Sequence, residues 1–589
     1  MLEHRIPVKL RRGFFMHQKN KINQMKFSKF FFSSFFIIIN FSAKAQIADK
    51  ILFNATVYTV NPKQPYAEAV AIKGDKIIFV GSNAEVKKYS DSKTETIDCK
   101  GQFMMPGLIE GHGHIHGMGA SLIDLNLMKA KNWGEIIDMV AAASKKAKPG
   151  DWIIGRGWHQ EKWDKVPTKN HLGYPYHEEI DQVTPNNPIM LTHASGHSAY
   201  INAKAMQLAG IKDNTVSPEG GAVVKDKNGK FVGVLEERAQ GLVSKAYNEW
   251  NSKRSLEERK SRWAESIRLA ENECLRYGIT SFQDAGSSFE QVAWMKELAD
   301  NKKLQIRHWL MVREGIQSLE KNSKVFPIEN VGNGQLTVKA IKVSLDGALG
   351  SYGAWMLKSY SDRNDFFGQN TFSIDELKKI AAFSWKNDLQ LCVHAIGDRA
   401  NREVIDIYGN QIANNKSKDH RWRIEHAQNV NPSDIPRFAK FSIIASMQGI
   451  HCTSDAPYVV KRLGEQRAST EAYMWRDFIK AGVLVNNGTD VPVENIDPFA
   501  NFYSSITRKL ADGSSFYGGQ KMTREEAIYS YTLANAVASF SEKEKGSVEV
   551  GKWADLIILD KNIILCKEEN ISTIKVKTVF LGGKMVKND

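Results

Sequence analysis

Thiol chemistry has little to work with in this chain. Its 589 residues include five cysteines, Cys99, Cys274, Cys392, Cys452 and Cys566, odd in number, widely spread and without a Cys-x-x-Cys pair. That pattern excludes a disulfide frame and a thiolate zinc site, and leaves isolated, mostly buried thiols. After residue 45 no apolar run approaches the roughly 20 residues that a bilayer span requires, and neither an internal repeat nor a low-complexity tract is present. The excess of positive charge is smaller than it looks. Of the formal net charge of +14, residues 1–45 supply nine Lys or Arg against one Glu, leaving +6 for the rest. Scattered lysines then read as solvated surface, and nucleic acid is not an expected partner.

What is present is material for a core. With 42% apolar and 25% charged residues, the composition is that of a globular protein, and the length exceeds one ordinary core, so one large domain with smaller attachments is expected. At the N-terminus, Lys26-Phe27-Ser28-Lys29, the apolar stretch Phe30 to Phe41 and Ala43-Lys44-Ala45 form the charged, apolar and small-x-small parts of a secretory signal. Cleavage before Gln46 and an exported protein, periplasmic or secreted, are expected. Residues 1–24 read as an upstream extension from a mistaken start or as a long basic leader, outside the fold.

Both ends of the remainder are β-rich. Ile51 to Tyr58 and the hairpin of 69–72 with 76–80 match short strands at 554–559 and the hairpin 579–586, predicting one small β-sandwich built from residues 46–103 and 541–589. Between them, strand-like and helix-like segments alternate, with capping boxes at Ser255/Glu258, Ser373/Glu376 and Thr523/Glu526. Apolar strand candidates number eight: 104–112, 279–284, 305–312, 338–346, 389–394, 421–426, 442–447 and 482–490. Eight strands with intervening helices predict an α/β chain folded as a (β/α)8 barrel over 104–540, with its active site at the C-terminal strand ends. The gap after the first strand is too long for a loop, so residues of about 117–254 are expected as an inserted subdomain over the barrel mouth, containing a hairpin that turns at Asn228-Gly229.

Polar groups gather at those strand ends. The first strand carries His112 and His114, which alternation places on one face where they can hold one cation. Lys342, Ser344 and Asp346 share a face of the fourth strand; His394 ends the fifth, His426 the sixth and Asp490 the eighth.

These segments together resemble the amidohydrolase superfamily, specifically the family-3 branch that includes N-substituted formamide deformylases. The matching stretches are Pro106 to His114, the Lys342 segment with Asp346-Gly347, Val393 to Ala400, Ile424 to Gln428, Gly488 to Val493 and Gly546 to Leu559. The resemblance implies that His112, His114, His394, His426 and Asp490 are metal ligands and that Lys342 becomes a carbamate bridging two metals. The rival arrangement for Lys342 is an ion pair with Asp346 beside a single metal. Imidazole and carboxylate donors suit one or two divalent ions, zinc first, with manganese or iron as alternatives. The implied activity is hydrolysis of a non-peptide carbon–nitrogen bond in an amide, formamide or N-acyl compound by metal-activated hydroxide, with Asp490 as general base and then acid. Ester, lactone or cyclic-amide hydrolysis on the same scaffold is the enzymatic alternative, and a non-catalytic regulatory or binding relative the other.

Around the ligands, His197 and His451 read as catalytic carbonyl-polarising donors or as buried hydrogen-bonded residues. Trp158 and His159 read as structural, His116 as a neighbour of the site, and Arg399, Glu425 and Asp398 as groups behind the ligands or at helix caps. The family usually has proline where this chain has Gly449. Expected partners are a small amide-type substrate and a second copy of the chain as a homodimer, with no stable membrane span after signal cleavage.

Overall fold

The computed structural model describes residues 46–413 and 417–588; residues 1–45, where the leader and signal segment are expected, lie outside them. The centre of the molecule is a parallel barrel of eight strands in sequential order: β1 (Leu108–Gly113), β2 (Ile279–Ser287), β3 (Arg307–Val312), β4 (Leu336–Ser344), β5 (Gln390–Ala395), β6 (Arg423–His426), β7 (Ile444–Gln448) and β8 (Val485–Gly488). The eight expected strands are all present. The seam between β8 and β1 is joined at its mouth by backbone hydrogen bonds, Asp490 N–H to His112 C=O at 2.7 Å and His114 N–H to Val491 C=O at 2.7 Å.

Further down the seam the buried Asn535 side chain donates to the carbonyls of Ile109 (2.6 Å) and Asn487 (2.8 Å). Glycine is required here: a Cβ on Gly111 would fall 2.4 Å from the Asn487 carbonyl oxygen, and one on Gly488 would fall 2.6 Å from the His112 nitrogen. Glu110 closes the gap by accepting from the Thr489 N–H (2.6 Å) and the Tyr531 hydroxyl (2.5 Å).

The first expected strand, 104–112, is two strands. Phe103–Pro106 pairs with Thr56–Tyr58 and Leu556–Leu559 in a six-stranded sheet made from both chain ends, and the chain passes through Gly107 into β1. An unbroken apolar run hid the junction, because both halves are buried. Likewise the run 51–58 divides at Asn54, whose φ of +55° turns Lys50–Phe53 into a separate four-stranded sheet. Leu52, Val57, Val70, Met104, Leu556 and Phe580, drawn from the two sheets, share one core.

Capping boxes form at Ser255/Glu258 and Thr523/Glu526. Ser373 caps the Glu376 N–H without the reciprocal bond, so that box is half formed. Helix α1 (Leu256–Arg276) buries Trp263, Ile267, Ala270 and Cys274 on one stripe. Between β1 and α1 lie a short helix, Ile115–Ile123, and a six-stranded mixed sheet with strand order 221–225, 231–237, 198–201, 189–193, 153–158, 125–126. The hairpin turning at Asn228-Gly229 forms its edge. This insertion has apolar cores of its own around Trp158 and Val243. It is also pinned to the barrel face by Arg462 to Glu161 (2.8 Å) and Lys162 to Glu494 (3.1 Å). Among the described residues no helix is long and apolar enough to cross a membrane, and the five cysteines are free thiols.

Candidate metal centre

His112, His426 and Asp490 come together at the C-terminal mouth of the barrel, one donor atom from each lying within 4.8 Å of the others, all three residues buried. Both imidazoles are aimed from behind. Glu425 bonds His112 Nδ1, which leaves Nε2 facing the centre. Gln448 Oε1 holds His426 Nδ1 at 2.7 Å, so that ring also presents Nε2. Glu425 is in turn fixed by Arg423, whose Nε lies 2.7 Å from Oε1 and whose Nη2 donates to the Gly111 carbonyl at 2.8 Å and Ser446 Oγ at 3.0 Å.

Asp490 Oδ1 is approached by His114 Nε2 at 3.2 Å and His112 Nε2 at 3.5 Å, yet accepts no well-formed hydrogen bond among the described residues. A buried carboxylate oxygen without a donor is costly, and a cation at the focus of these atoms would satisfy it. His426 (φ +73°), Ala427 (+42°) and Asp490 (+57°) are non-glycine residues in the left-handed region. The ionisation states match a cation's needs. Burial, reinforced by the Lys342 charge, brings His112 down to about 4, and burial with neighbouring charge holds His426 and His394 well below the usual histidine range. Burial opposes ionisation of Asp490, but the neighbouring His114, His112 and His426 rings outweigh it and hold the carboxyl well below its usual range. Neutral imidazoles and an ionised carboxylate fit a divalent metal.

The other expected ligands surround this trio. His114 is half-buried beside Asp490. The His394 ring lies 4.4 Å from that of His426, but its Nε2 is 3.4 Å from Asp346 Oδ1 and takes no hydrogen bond among the described residues. Lys342 Nζ stands 3.3 Å from His112 Nε2, and burial lowers its pKa to about 8. The rival Lys342–Asp346 ion pair does not form. Asp346 instead accepts the backbone N–H groups of Trp355 (2.9 Å), Ile396 (3.0 Å) and Gly397 (2.8 Å).

His197 reaches the site from the insertion. Its ring is 5.2 Å from His394, and its Nδ1 is 2.8 Å from Glu237 Oε2. His451, at the first turn of helix 451–463, lies parallel to His426 at 6.2 Å with Nε2 buried and without a partner among the described residues. The Gly449 N–H before it donates to Asn487 Oδ1 at 2.9 Å, a bond that proline could not make. His116 turns away to Ser266 Oγ (2.8 Å), and Trp158 donates within the insertion core to the Leu191 carbonyl (2.7 Å). His159 lines a narrow chamber with His451 and Tyr458. Arg399 lies over the Trp355 ring and Asp398 accepts from Leu357 N–H at 2.8 Å, both clear of the centre.

A cleft of about 570 Å³ opens from the trio toward the insertion. It exposes four groups that sequence reasoning passed over as site residues: Arg156, Glu237, Arg238 and Arg313. Only Arg313 carried a signal, standing one residue beyond β3.

A model of the amidohydrolase family matches residues 95–587. The chain is 30% identical over 553 residues to the protein LONG AFTER FAR-RED 3 of Arabidopsis thaliana, covering 92% of each. It is 26% identical over 547 residues to the N-substituted formamide deformylase of Arthrobacter pascens, covering 91% of this chain and 98% of that protein. The crystal structure of an uncharacterized metal-dependent hydrolase from Pyrococcus horikoshii superimposes with a TM-score of 0.70 at 26% identity, covering 88% of this chain and 99% of that one.

Proposed function

The chain belongs to the amidohydrolase family, and from that premise we propose that this metal-dependent hydrolase cleaves a non-peptide carbon–nitrogen bond in a small amide, formamide or N-acyl compound. The observation that carries the proposal is the buried His112–His426–Asp490 trio with Asp490 Oδ1 left free to accept. The likeness to a formamide deformylase supports the choice of a carbon–nitrogen bond. A divalent cation, zinc by preference, held by His112, His426 and Asp490 with His114 and His394 alongside, would supply Lewis acidity to water and carbonyl.

The residues do the rest. Asp490 is ionised and takes the proton of the attacking water as its oxygen bonds to the carbonyl carbon. It then returns that proton to the nitrogen as the C–N bond breaks, giving acid and amine. His197, its Nδ1 committed to Glu237, presents Nε2 to the cleft, where it polarises the carbonyl; His451 offers a second donor from beyond β7. Lys342 is buried without a carboxylate oxygen within 4.0 Å among the described residues. Addition of carbon dioxide to the neutral amine, with loss of one proton to water, would convert it to an anionic oxygen donor. Export belongs to the same proposal and rests on residues 25–45 alone.

The test pairs elemental analysis with hydrolysis of matched amide, formamide and ester panels. Stoichiometric metal and amide cleavage that falls at least about a thousandfold in Asp490→Asn are expected. A metal-loaded protein that cleaves the esters and leaves every amide intact would overturn the carbon–nitrogen assignment.

A further inference from the structure

Three arginines line the cleft, and among the described residues none has a carboxylate oxygen within 4.0 Å. Arg156 stands on strand Ile153–Trp158 of the insertion. Its Nη2 donates to the Ala194 carbonyl at 2.8 Å, and its Nε is buried without a partner. Its guanidinium is packed under Gly196, where φ is +78° and an added Cβ would fall 3.3 Å from Nη2. Arg313 stands just past the end of β3 on the same cleft lining, steadied by a 3.1 Å hydrogen bond to Ser344 Oγ. Arg238 is exposed at the rim. Of the carboxylates nearby in sequence, Glu237 holds His197 through Oε2 and lends its charge to Arg313 without an ion pair, and Glu314 accepts from the Phe289 N–H at 3.3 Å. Asp490, the anion that both Arg156 and Arg313 sense, is committed to the metal centre.

Two held guanidiniums, one with a buried donor unspent, facing a common space beside the reaction centre make a receptor for an anion. Glu237 and Glu314 on the same lining disfavour a doubly charged group, so the anion is a carboxylate. We infer that the substrate is an amide carrying a carboxylate near its scissile bond, gripped between Arg156 from the insertion and Arg313 from the barrel. For the scissile bond this rests on the amide-hydrolase proposal above; the carboxylate grip stands on the arginines alone.

Calorimetric titration of the full chain, as purified, with N-acetylglycine and with its neutral carboxamide separates the two. The carboxylate is expected to bind at least about tenfold more tightly, with the preference lost in Arg156→Met and in Arg313→Met and kept in the surface control Arg268→Met, at unchanged melting temperature. Equal binding of acid and carboxamide, no binding of either at millimolar concentration, or a preference that survives both substitutions would overturn the inference. Hydrolysis is scored separately. A carboxylate preference without turnover of any amide keeps the grip and removes the amide-hydrolase proposal, whereas turnover without the preference does the reverse.

Discussion

At the floor of the cleft, the imidazole nitrogens of His112 and His426 that face away from the centre are both committed, one to Glu425 and one to Gln448, and Glu425 is itself clamped by Arg423. On the wall that the insertion supplies, Arg156 keeps a buried Nε without a partner, and Arg238 makes no ion pair among the described residues. The floor's imidazoles are held from behind, whereas the wall keeps donors in reserve. Groups that must hold one geometry through every turnover are locked by a shell of partners, while groups that meet a different atom on each encounter retain unused bonding capacity.

That contrast can be broken from either side. The largest effect is expected at the floor: Glu425→Gln leaves the His112 ring without its anionic partner and strands Arg423 with a buried, unbalanced charge. Metal affinity should fall about 10–100-fold, measured by competition with a chromophoric chelator. Unaltered affinity would mean that the shell does not orient the ligand.

On the wall, His197→Asn should lower turnover about tenfold or more with metal content unchanged, as elemental analysis and steady-state rates on one preparation would show. A loss of metal in that variant would move His197 to the floor.

The smallest effect is a pH dependence confined to the wall. Burial lifts the Glu236 carboxyl to about 7 even though the Tyr174 hydroxyl donates to it at 2.9 Å. Its unfolded value is near 4.5, so the folded chain binds the extra proton between the two. The contribution to stability is complete below about 4.5, declines as pH rises through 7 and is level above that. Thermal denaturation from pH 5 to 8 should show Glu236→Gln with a flatter slope than the parent, and an identical slope would place Glu236 outside the buried network.

The floor was legible in the sequence because its residues obey a positional rule: donors sit at the ends of apolar strands, and alternation fixes which way they point. That rule singled out His112, His426 and Asp490, which the structure gathers, and His394, whose ring it sets beside His426. Arg313 obeys the same rule and was missed only because it lies one residue past its strand. Arg156 was not legible, since it stands mid-strand in the insertion between Gly155 and Gly157, where neither period nor motif marks it and only the docking of one subdomain on another turns it toward the site. The division of 104–112 into two strands was hidden for a different reason. Both halves are buried on both sides, so hydrophobicity runs unbroken through Gly107 while the partner strands change.

The hydrogen bonds that join Asp490 to His112 and His114 to Val491 close the barrel at the very residues that bear the donors. Ring closure therefore also gathers the candidate donors. A ribosome that has released β1 has delivered two imidazoles with nothing opposite them, and the pair stays incomplete until nearly the whole chain has emerged and its last barrel strand has docked. Shortened forms ending before residue 490 lack the seam and the carboxylate together, so the donor set is complete only when the barrel is.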